Sequence, residues 1–184
     1  MTNIAKMLLV IALAAGQQTA PSFEGKTTLL RPVNYREWIF VGSSRGLSYA
    51  TNPPAQAPTG GMGEMYHNVY ITPEAYREFS KTGKFPEGTM LAMEMATADT
   101  KREPGLQGSF EKEFAGLEVS VKDTKRFEGG WAYFNFSNGM GSPYKAKAEP
   151  FPASAGCVSC HKQNAETDNV FTQFYPVLRA AKPK

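Results

Sequence analysis

Cysteine and histidine are scarce in this sequence of 184 residues, which contains two of each. Apolar runs are short, and the longest, residues 7–16, falls well below the length at which a helix crosses a bilayer. Basic clusters interleaved with aromatic residues are missing, and the 20 basic residues are nearly balanced by 17 acidic ones. The sequence therefore does not suggest a nucleic-acid partner. Internal repeats are not visible either.

The first residues have the layout of a signal peptide. Lys6 supplies a positive charge ahead of the apolar run, and Ala12-Leu13-Ala14 matches the A-x-A pattern of cleavage sites. We expect residues 1–16 to be a signal peptide that exports the protein to the periplasm, with an uncleaved anchor and cleavage at Ala20 as alternatives. Residues 17–184 should form a single domain, because a chain of that size can bury most of its apolar surface.

Both cysteines and one of the histidines stand together in the segment Cys157-Val158-Ser159-Cys160-His161. Two thiols at this spacing can form thioether bonds to the two vinyl groups of one haem, while the adjacent imidazole ligates the iron. Export would bring the chain to the compartment where bacteria make these bonds. The motif predicts one covalent c-type haem per chain, attached to Cys157 and Cys160 and ligated by His161.

Three other uses of this motif have less support. A chance C-x-x-C pair could oxidise to a small disulfide. A thioredoxin-like redox pair should open a helix after a strand, whereas this motif follows the segment 142–156, which is rich in proline and glycine. A structural zinc site would have to recruit His67 from far upstream to reach three ligands. Haem attachment is the interpretation that uses all three residues of the motif.

The position of the motif late in the chain limits the choice of a second axial ligand. Residues 162–184 contain neither methionine nor histidine, which excludes the arrangement of small electron-transfer cytochromes, where a downstream methionine ligates the iron. A sixth ligand would have to come from upstream, although methionine is more often a core residue than a ligand. The candidates are His67, Met62, Met65, Met90, Met93, Met95 and Met140.

Alternating apolar residues predict several strands. Residues 69–71 end one strand, and residues 89–95 fit another, in which Glu94 would face water. Residues 117–122 alternate more cleanly, as expected of a half-buried antiparallel strand. Residues 131–136 are rich in aromatic side chains, which suit a pleated sheet. These segments predict a mainly β fold, of the α+β type, built on an antiparallel sheet with short helices and a C-terminal haem-binding helical segment.

Helices are expected at two further places. Thr72 and Pro73 mark a helix start, and Gly83 marks its end. In the C-terminal tail, one amphipathic helical face is predicted, with Asp168 as its cap and a kink at Pro176. The residues of that face are Phe171, Phe174, Tyr175 and Leu178. Residues 51–64, rich in glycine and proline, should form a loop.

Most of the chain after the signal segment closely resembles cytochrome P-460. The stretches that carry the resemblance are Asn34-Tyr35-Arg36-Glu37-Trp38, Val69-Tyr70-Ile71, Lys81-Thr82-Gly83, Gly116-Leu117-Glu118, Val121-Lys122-Asp123, Lys125-Arg126-Phe127, Trp131-Ala132-Tyr133, Cys157 to His161 with Asn164-Ala165, Thr167-Asp168, Val170-Phe171-Thr172 and Phe174-Tyr175-Pro176-Val177-Leu178-Arg179. The resemblance implies an antiparallel β fold, a homodimer, and a five-coordinate c-type haem whose open face binds small nitrogen species.

The resemblance also points to one departure from the family pattern. Members called cytochrome P-460 oxidise hydroxylamine, and a lysine after a Gly-Thr strand start is bonded covalently to their haem. By that match the lysine position falls on Met93, and residues 85–100 contain no lysine. The chain thus looks more like the related cytochromes c-prime-beta, which keep an ordinary c-type haem. The resemblance places His67 near the distal residues of the family, where it could carry protons, and a partly exposed strand histidine without such a role is the alternative.

Two main functional hypotheses follow. The first is a non-catalytic haem protein that binds a gaseous or nitrogenous ligand such as nitric oxide. The second is an oxidoreductase that converts hydroxylamine or nitric oxide and passes electrons to an external acceptor. Simple electron transfer, with Met93 or another upstream methionine as sixth ligand, is a third alternative.

Overall fold

The computed structural model describes residues 19–47, 65–102 and 105–183. Within these ranges the strands form two antiparallel sheets and the helices are short, so the predicted mainly β fold is confirmed. The strands are β1 (Phe23–Glu24), β2 (Thr28–Leu30), β3 (Ile39–Arg45), β4 (Met65–Ile71), β5 (Met90–Arg102), β6 (Gln107–Lys122), β7 (Trp131–Asn135) and β8 (Lys147–Ala148). The helices are α1 (Pro73–Thr82), α2 (Gly156–Asn164) and α3 (Pro176–Ala181), with 3-10 turns at Tyr35–Glu37 and Thr172–Phe174.

The larger sheet has the strand order β3-β4-β5-β6-β7, so β5 is its central strand. In this register Met93 of β5 lies between Val69 of β4 and Glu118 of β6. The next residue, Glu94, points to the opposite side, because side chains alternate along a strand. We call the two sides of this sheet the Met93 face and the Glu94 face.

Both faces of the larger sheet are covered around Met93 and Glu94, whereas residues 107–114 of β6 at one end of the sheet are exposed. On the Glu94 face the apolar residues of β6 pack against the N-terminal segment, which contributes Leu29, Tyr35 and Trp38, and against Ala148 of β8 in the smaller sheet. On the Met93 face, Phe79 of α1 and Leu178 of α3 pack against apolar residues of β4. Burying each such large side chain stabilises the fold by about 1.5–3 kcal/mol. The part of the central strand that contains Met93 and Glu94 therefore has no side that lies freely in water.

The alternation predicted for residues 117–122 is confirmed. Leu117, Val119 and Val121 are 0 to 1% exposed and belong to the core on the Glu94 face. The residues between them point to the Met93 face, where they are only partly exposed.

The prediction that Glu94 faces water is wrong, because its side chain is 1% exposed. The carboxylate accepts hydrogen bonds from the Tyr35 hydroxyl, from the Arg36 guanidinium (Nε to Oε2, 3.0 Å) and from the Tyr144 hydroxyl at 3.2 Å. Such charge-assisted bonds offset the cost of removing a carboxylate from water. Burial beside this carboxylate raises the pKa of Tyr144 to about 12, so its hydroxyl stays protonated and donates.

Helix α1 begins and ends where the sequence predicts. Pro73 occupies its first turn, and Gly83 follows it in the left-handed region at φ 69°, donating its N–H to the Phe79 carbonyl at 2.8 Å. Thr72 precedes the helix, but its side chain makes no capping hydrogen bond.

The predicted C-terminal amphipathic helix is wrong. The tail contains the 3-10 turn Thr172–Phe174 and then α3, which begins at Pro176. A proline at the start of a helix loses no hydrogen bond, since the first N–H groups have no partner within the helix. Pro176 therefore begins a helix instead of kinking one. Asp168 does not act as a cap, because it lies in a separate turn at φ 47°.

The signal peptide predicted at residues 1–16 and the loop predicted at residues 51–64 lie outside the described residues. In the part of the chain that the structure describes, no helix has the length and apolar character needed to span a membrane. The expectation of a single domain over residues 17–184 stays a prediction.

Candidate functional site

The predicted haem-binding residues lie on one short helix, α2. Cys157, Cys160 and His161 occupy positions i, i+3 and i+4 of this helix, a spacing that brings side chains to the same helical face. None of the residues of α2 is fully buried, and Val158 packs against the core on the Met93 face. The helix thus presents two thiols and an imidazole together at the side of the larger sheet.

The imidazole of His161 is held in a fixed orientation. Its Nδ1 lies 2.8 Å from the backbone carbonyl oxygen of Asn169, which can only accept a hydrogen bond, so Nδ1 carries the proton. The ring packs between Tyr133 and Phe171, each with its centroid 4.6 Å away. Burial lowers the pKa of His161, which favours the neutral ring. The Nε2 atom therefore keeps a lone pair for a metal ion.

A tight turn positions the carbonyl that holds His161. Asp168 and Asn169 both have left-handed backbone conformations, at φ 47° and 61°. The Asp168 carboxylate fixes this turn by accepting hydrogen bonds from Lys122 Nζ at 2.6 Å and from Trp131 Nε1 at 3.1 Å. Both donors belong to strands of the larger sheet. The sheet thereby determines the orientation of the histidine through Asp168, a role that sequence reasoning missed.

The two cysteines are not joined by a disulfide, and both are partly buried. Burial raises the pKa of Cys157, which favours the neutral thiol. The Cys160 sulfur accepts a hydrogen bond from Asn164 Nδ2 at 3.4 Å, one helical turn later. The α2 helix thus holds both sulfurs on the helical face that also carries His161.

A mostly apolar pocket opens between His161 and the Met93 face of the larger sheet. It encloses about 500 Å³, part of which is open to solvent. The residues that line it are Val69, Leu91, Met93, Glu118, Val119, Ser120, Tyr133, His161, Asn169, Val170, Phe171 and Tyr175. Met93, the residue at the predicted lysine position, is therefore one wall of the pocket that contains His161.

His67 lies on the same face of the sheet but outside this pocket lining. It pairs with Met95 across β4 and β5, two residues along the register from Val69 and Met93. Burial lowers the pKa of His67, which favours its neutral form. The structure therefore does not bring His67 and Met93 together as two walls of one pocket.

The other methionines proposed as sixth ligands also lie elsewhere. Met90 is 0% exposed in the core on the Glu94 face, and Met140 is 55% exposed in a turn. Met65 and Met95 are half-buried on β4 and β5 and do not line the pocket. Met62 lies outside the described residues. Met93 is thus the one thioether among the pocket-lining residues of the described chain.

Glu118 is a pocket residue that sequence reasoning missed. It lies opposite Met93 in the sheet, and burial raises its pKa above the ordinary value of a glutamate. The alternation of β6 assigned Glu118 to the polar side of the strand, and polarity alone did not reveal that this side lines a pocket. The family resemblance contained the one sequence signal that points to Glu118, because it includes the segment Gly116-Leu117-Glu118.

The family comparison agrees with these observations. The model of the family Cytochrome P460 matches residues 32–172, which include all five strands of the larger sheet and all three residues of the C-x-x-C-H motif. No curated protein matches the chain. Because the match covers most of the sequence, the chain belongs to the cytochrome P460 family and is a haem-binding protein of that type.

Proposed function

We propose that this protein is an exported cytochrome that carries one covalent haem and binds small nitrogen species, such as nitric oxide, on the open side of the iron. Cys157 and Cys160 are the thioether residues, and His161 Nε2 is the axial ligand. The observation that carries the proposal is the hydrogen bond from His161 Nδ1–H to Asn169, because it leaves Nε2 available in an apolar pocket. The N-terminal sequence supports a periplasmic location, and the resemblance supports a homodimer.

The residues of the site fit a c-type haem by their chemistry. A neutral imidazole and two thiols share one helical face, and the adjoining pocket walls are largely apolar. When bound, the haem supplies an iron that coordinates small ligands and exchanges single electrons. Around it, Tyr133 and Phe171 hold the imidazole plane, and the Asp168 turn holds its tautomer. The apolar walls favour neutral diatomic ligands over hydrated ones.

A spectrum of the ferrous holoprotein tests the open coordination position. We expect a high-spin spectrum, because the family resemblance implies five-coordinate iron. Among the described residues, Met93 is the one that lines the pocket with a thioether, so it is the internal ligand to test. Nitric oxide and carbon monoxide should bind without displacing an internal ligand, and M93A should leave the spin state unchanged. A low-spin ferrous spectrum that becomes high-spin in M93A would instead establish Met93 as sixth ligand and favour electron transfer.

Glu118 favours a second candidate function, the oxidation of hydroxylamine or nitric oxide with an external electron acceptor. It is a carboxylate on the wall opposite Met93, inside the pocket that contains His161. A carboxyl group there can accept a proton from a bound substrate, a step that oxidation of hydroxylamine requires. The raised pKa makes this group a better proton acceptor than an ordinary glutamate.

The variant E118Q separates this second function from simple ligand binding. If Glu118 is the proton acceptor, E118Q should lower the rate of hydroxylamine oxidation about a hundredfold, while nitric oxide still binds. The wild-type rate should fall as the pH is lowered through the raised pKa of Glu118, because the protonated group cannot accept a proton. The matched control is E128Q, at an exposed glutamate remote from the pocket lining. Equal rates in wild type, E118Q and E128Q would exclude this role.

A further inference from the structure

A second cleft lies next to the Glu94 face of the larger sheet, away from the pocket of His161. It encloses about 1140 Å³ and is broadly open to solvent. The residues that line it are Arg31, Arg36, Lys112, Glu113, Phe114, Gly141, Ser142, Pro143 and Tyr144. Its lining thus contains three cationic side chains and one carboxylate, an excess of positive charge that attracts anions.

Two of the three cations already have protein partners. Arg36 is bonded to the buried carboxylate of Glu94, and Lys112 Nζ forms an ion pair with Asp99 at 2.9 Å. The guanidinium of Arg36 also lies over the Phe114 ring, with its central carbon 4.5 Å from the ring centroid. These contacts hold the Arg36 guanidinium against the Phe114 ring.

Arg31 differs from the other two cations because its side chain forms no ion pair with any residue that the structure describes. It follows β2, and its backbone N–H donates to the Ala146 carbonyl at 2.8 Å. Its side-chain Nε is buried and has no hydrogen-bond partner within the described ranges. A buried donor without an acceptor destabilises the folded protein, and more so when the group is charged. Arg31 as a whole is partly exposed and lines the cleft, so an anion bound there would pair with a guanidinium that no carboxylate of the described residues neutralises.

We propose that this cleft binds a small organic anion, whose carboxylate or phosphate group pairs with Arg31 and whose apolar part packs on Phe114. Guanidinium groups match both oxyanions by forming two parallel hydrogen bonds. The Ser142 side chain lines the same cleft and offers a hydroxyl donor. Phe114 is 50% exposed, so an apolar ligand body would cover surface that is now in water.

Calorimetric titration of the holoprotein at low ionic strength tests this site. The probes are benzoate, phenyl phosphate, inorganic phosphate and the uncharged benzyl alcohol. We expect saturable binding of one benzoate or phenyl phosphate per chain, weaker binding of inorganic phosphate, and no binding of benzyl alcohol. The haem spectrum should not change on binding, because the cleft and the pocket of His161 have no lining residue in common.

The variants R31Q and R77Q make a matched pair. Each removes one arginine charge, but Arg77 lies on α1, outside the cleft lining, and is paired with Glu74. R31Q should weaken benzoate and phenyl phosphate at least tenfold, and R77Q should have no effect. R31K keeps the positive charge but cannot form the bidentate hydrogen bonds of a guanidinium, so it should also weaken binding of both organic anions. It replaces R31Q if that variant does not fold.

Three results would overturn the proposal. The first is a failure of both organic anions to bind saturably at millimolar concentration. The second is an equal loss of anion affinity in R31Q and R77Q, which would show that the anions respond only to the net charge of the protein. The third is equal affinity for inorganic phosphate and phenyl phosphate, which would exclude a contribution from Phe114.

Discussion

Replacing Cys157 and Cys160 together with alanine is expected to abolish covalent haem attachment. The holoprotein should retain its haem through denaturing electrophoresis and acid-acetone extraction, since thioether bonds survive unfolding and axial bonds do not. In C157A/C160A the haem stain should disappear from the denatured band completely. The two sulfurs lie on the α2 face that also carries His161, so both bonds can form to one haem.

The control variant for this experiment is S159A. Ser159 lies between the two cysteines on α2 and is exposed, and its hydroxyl donates only to the local Gly156 carbonyl at 3.0 Å. S159A should therefore keep the haem stain at the wild-type level. A wild-type protein that loses its haem on denaturation, or a double variant that retains it, would contradict covalent attachment through these residues.

The variant H161A separates covalent attachment of the haem from axial ligation of its iron. Its haem should stay on the denatured chain, because both thiols are present, but the spectrum of the folded protein should no longer be that of the wild type. Its control is N169G, which removes the side chain but keeps the backbone carbonyl that accepts from Nδ1 in place, because glycine tolerates the left-handed φ of 61° at this position. N169G should keep the wild-type spectrum if the carbonyl, and not the Asn169 side chain, is what orients His161.

The elements of this fold were predictable wherever one local pattern determined them. Alternation identified the strands, and the Thr72-Pro73 start and Gly83 end identified α1, because each signal depends on neighbouring residues only. The C-x-x-C-H motif brought its three residues to one helical face for the same reason. These predictions needed no knowledge of what packs against each element.

Burial on the polar side of a strand was not predictable from alternation. Glu94 and Glu118 both occupy polar positions in alternating strands, yet one is enclosed by Tyr35, Arg36 and Tyr144, and the other lines the pocket of His161. Alternation reports which residues share a face, whereas the covering elements come from distant parts of the chain. A central strand in a sheet covered on both faces has no solvent side to which a charge can be assigned.

The prediction of one amphipathic helix in the C-terminal tail was wrong for a different reason. Its apolar spacing suits one helix, but Asp168 contacts Lys122 and Trp131 of the sheet, and Pro176 fits the start of a helix as well as it fits a kink. Tertiary contacts resolved that choice in favour of two short elements. The carbonyl that holds His161 depends on this turn, so the orientation of the imidazole was also beyond the reach of sequence patterns.

The residue at the predicted cross-link position is Met93 instead of lysine, and this difference determines what we expect of the wild-type haem. A bond from a lysine to the macrocycle alters the electronic properties of a haem, and a thioether cannot form that bond. The purified protein should have an ordinary c-type spectrum, and its intact mass should equal polypeptide plus one haem joined by two thioethers. Oxidation of hydroxylamine should be slow or absent. Rapid turnover by a haem without the extra bond would favour the oxidoreductase over the ligand-binding protein.

The complementary experiment introduces the amine. M93K places it in the pocket of His161, and M95K is the matched control, because Met95 lies two residues further along the same face of β5, outside the pocket lining. After exposure to peroxide or hydroxylamine, M93K should develop a red-shifted spectrum and M95K should not. Met93 lies opposite Glu118 in the sheet, so a cross-linked M93K would hold its haem beside a carboxylate. Its hydroxylamine oxidation should then exceed the wild-type rate, and a red shift of equal size in M95K would contradict the assignment of Met93 to the lysine position.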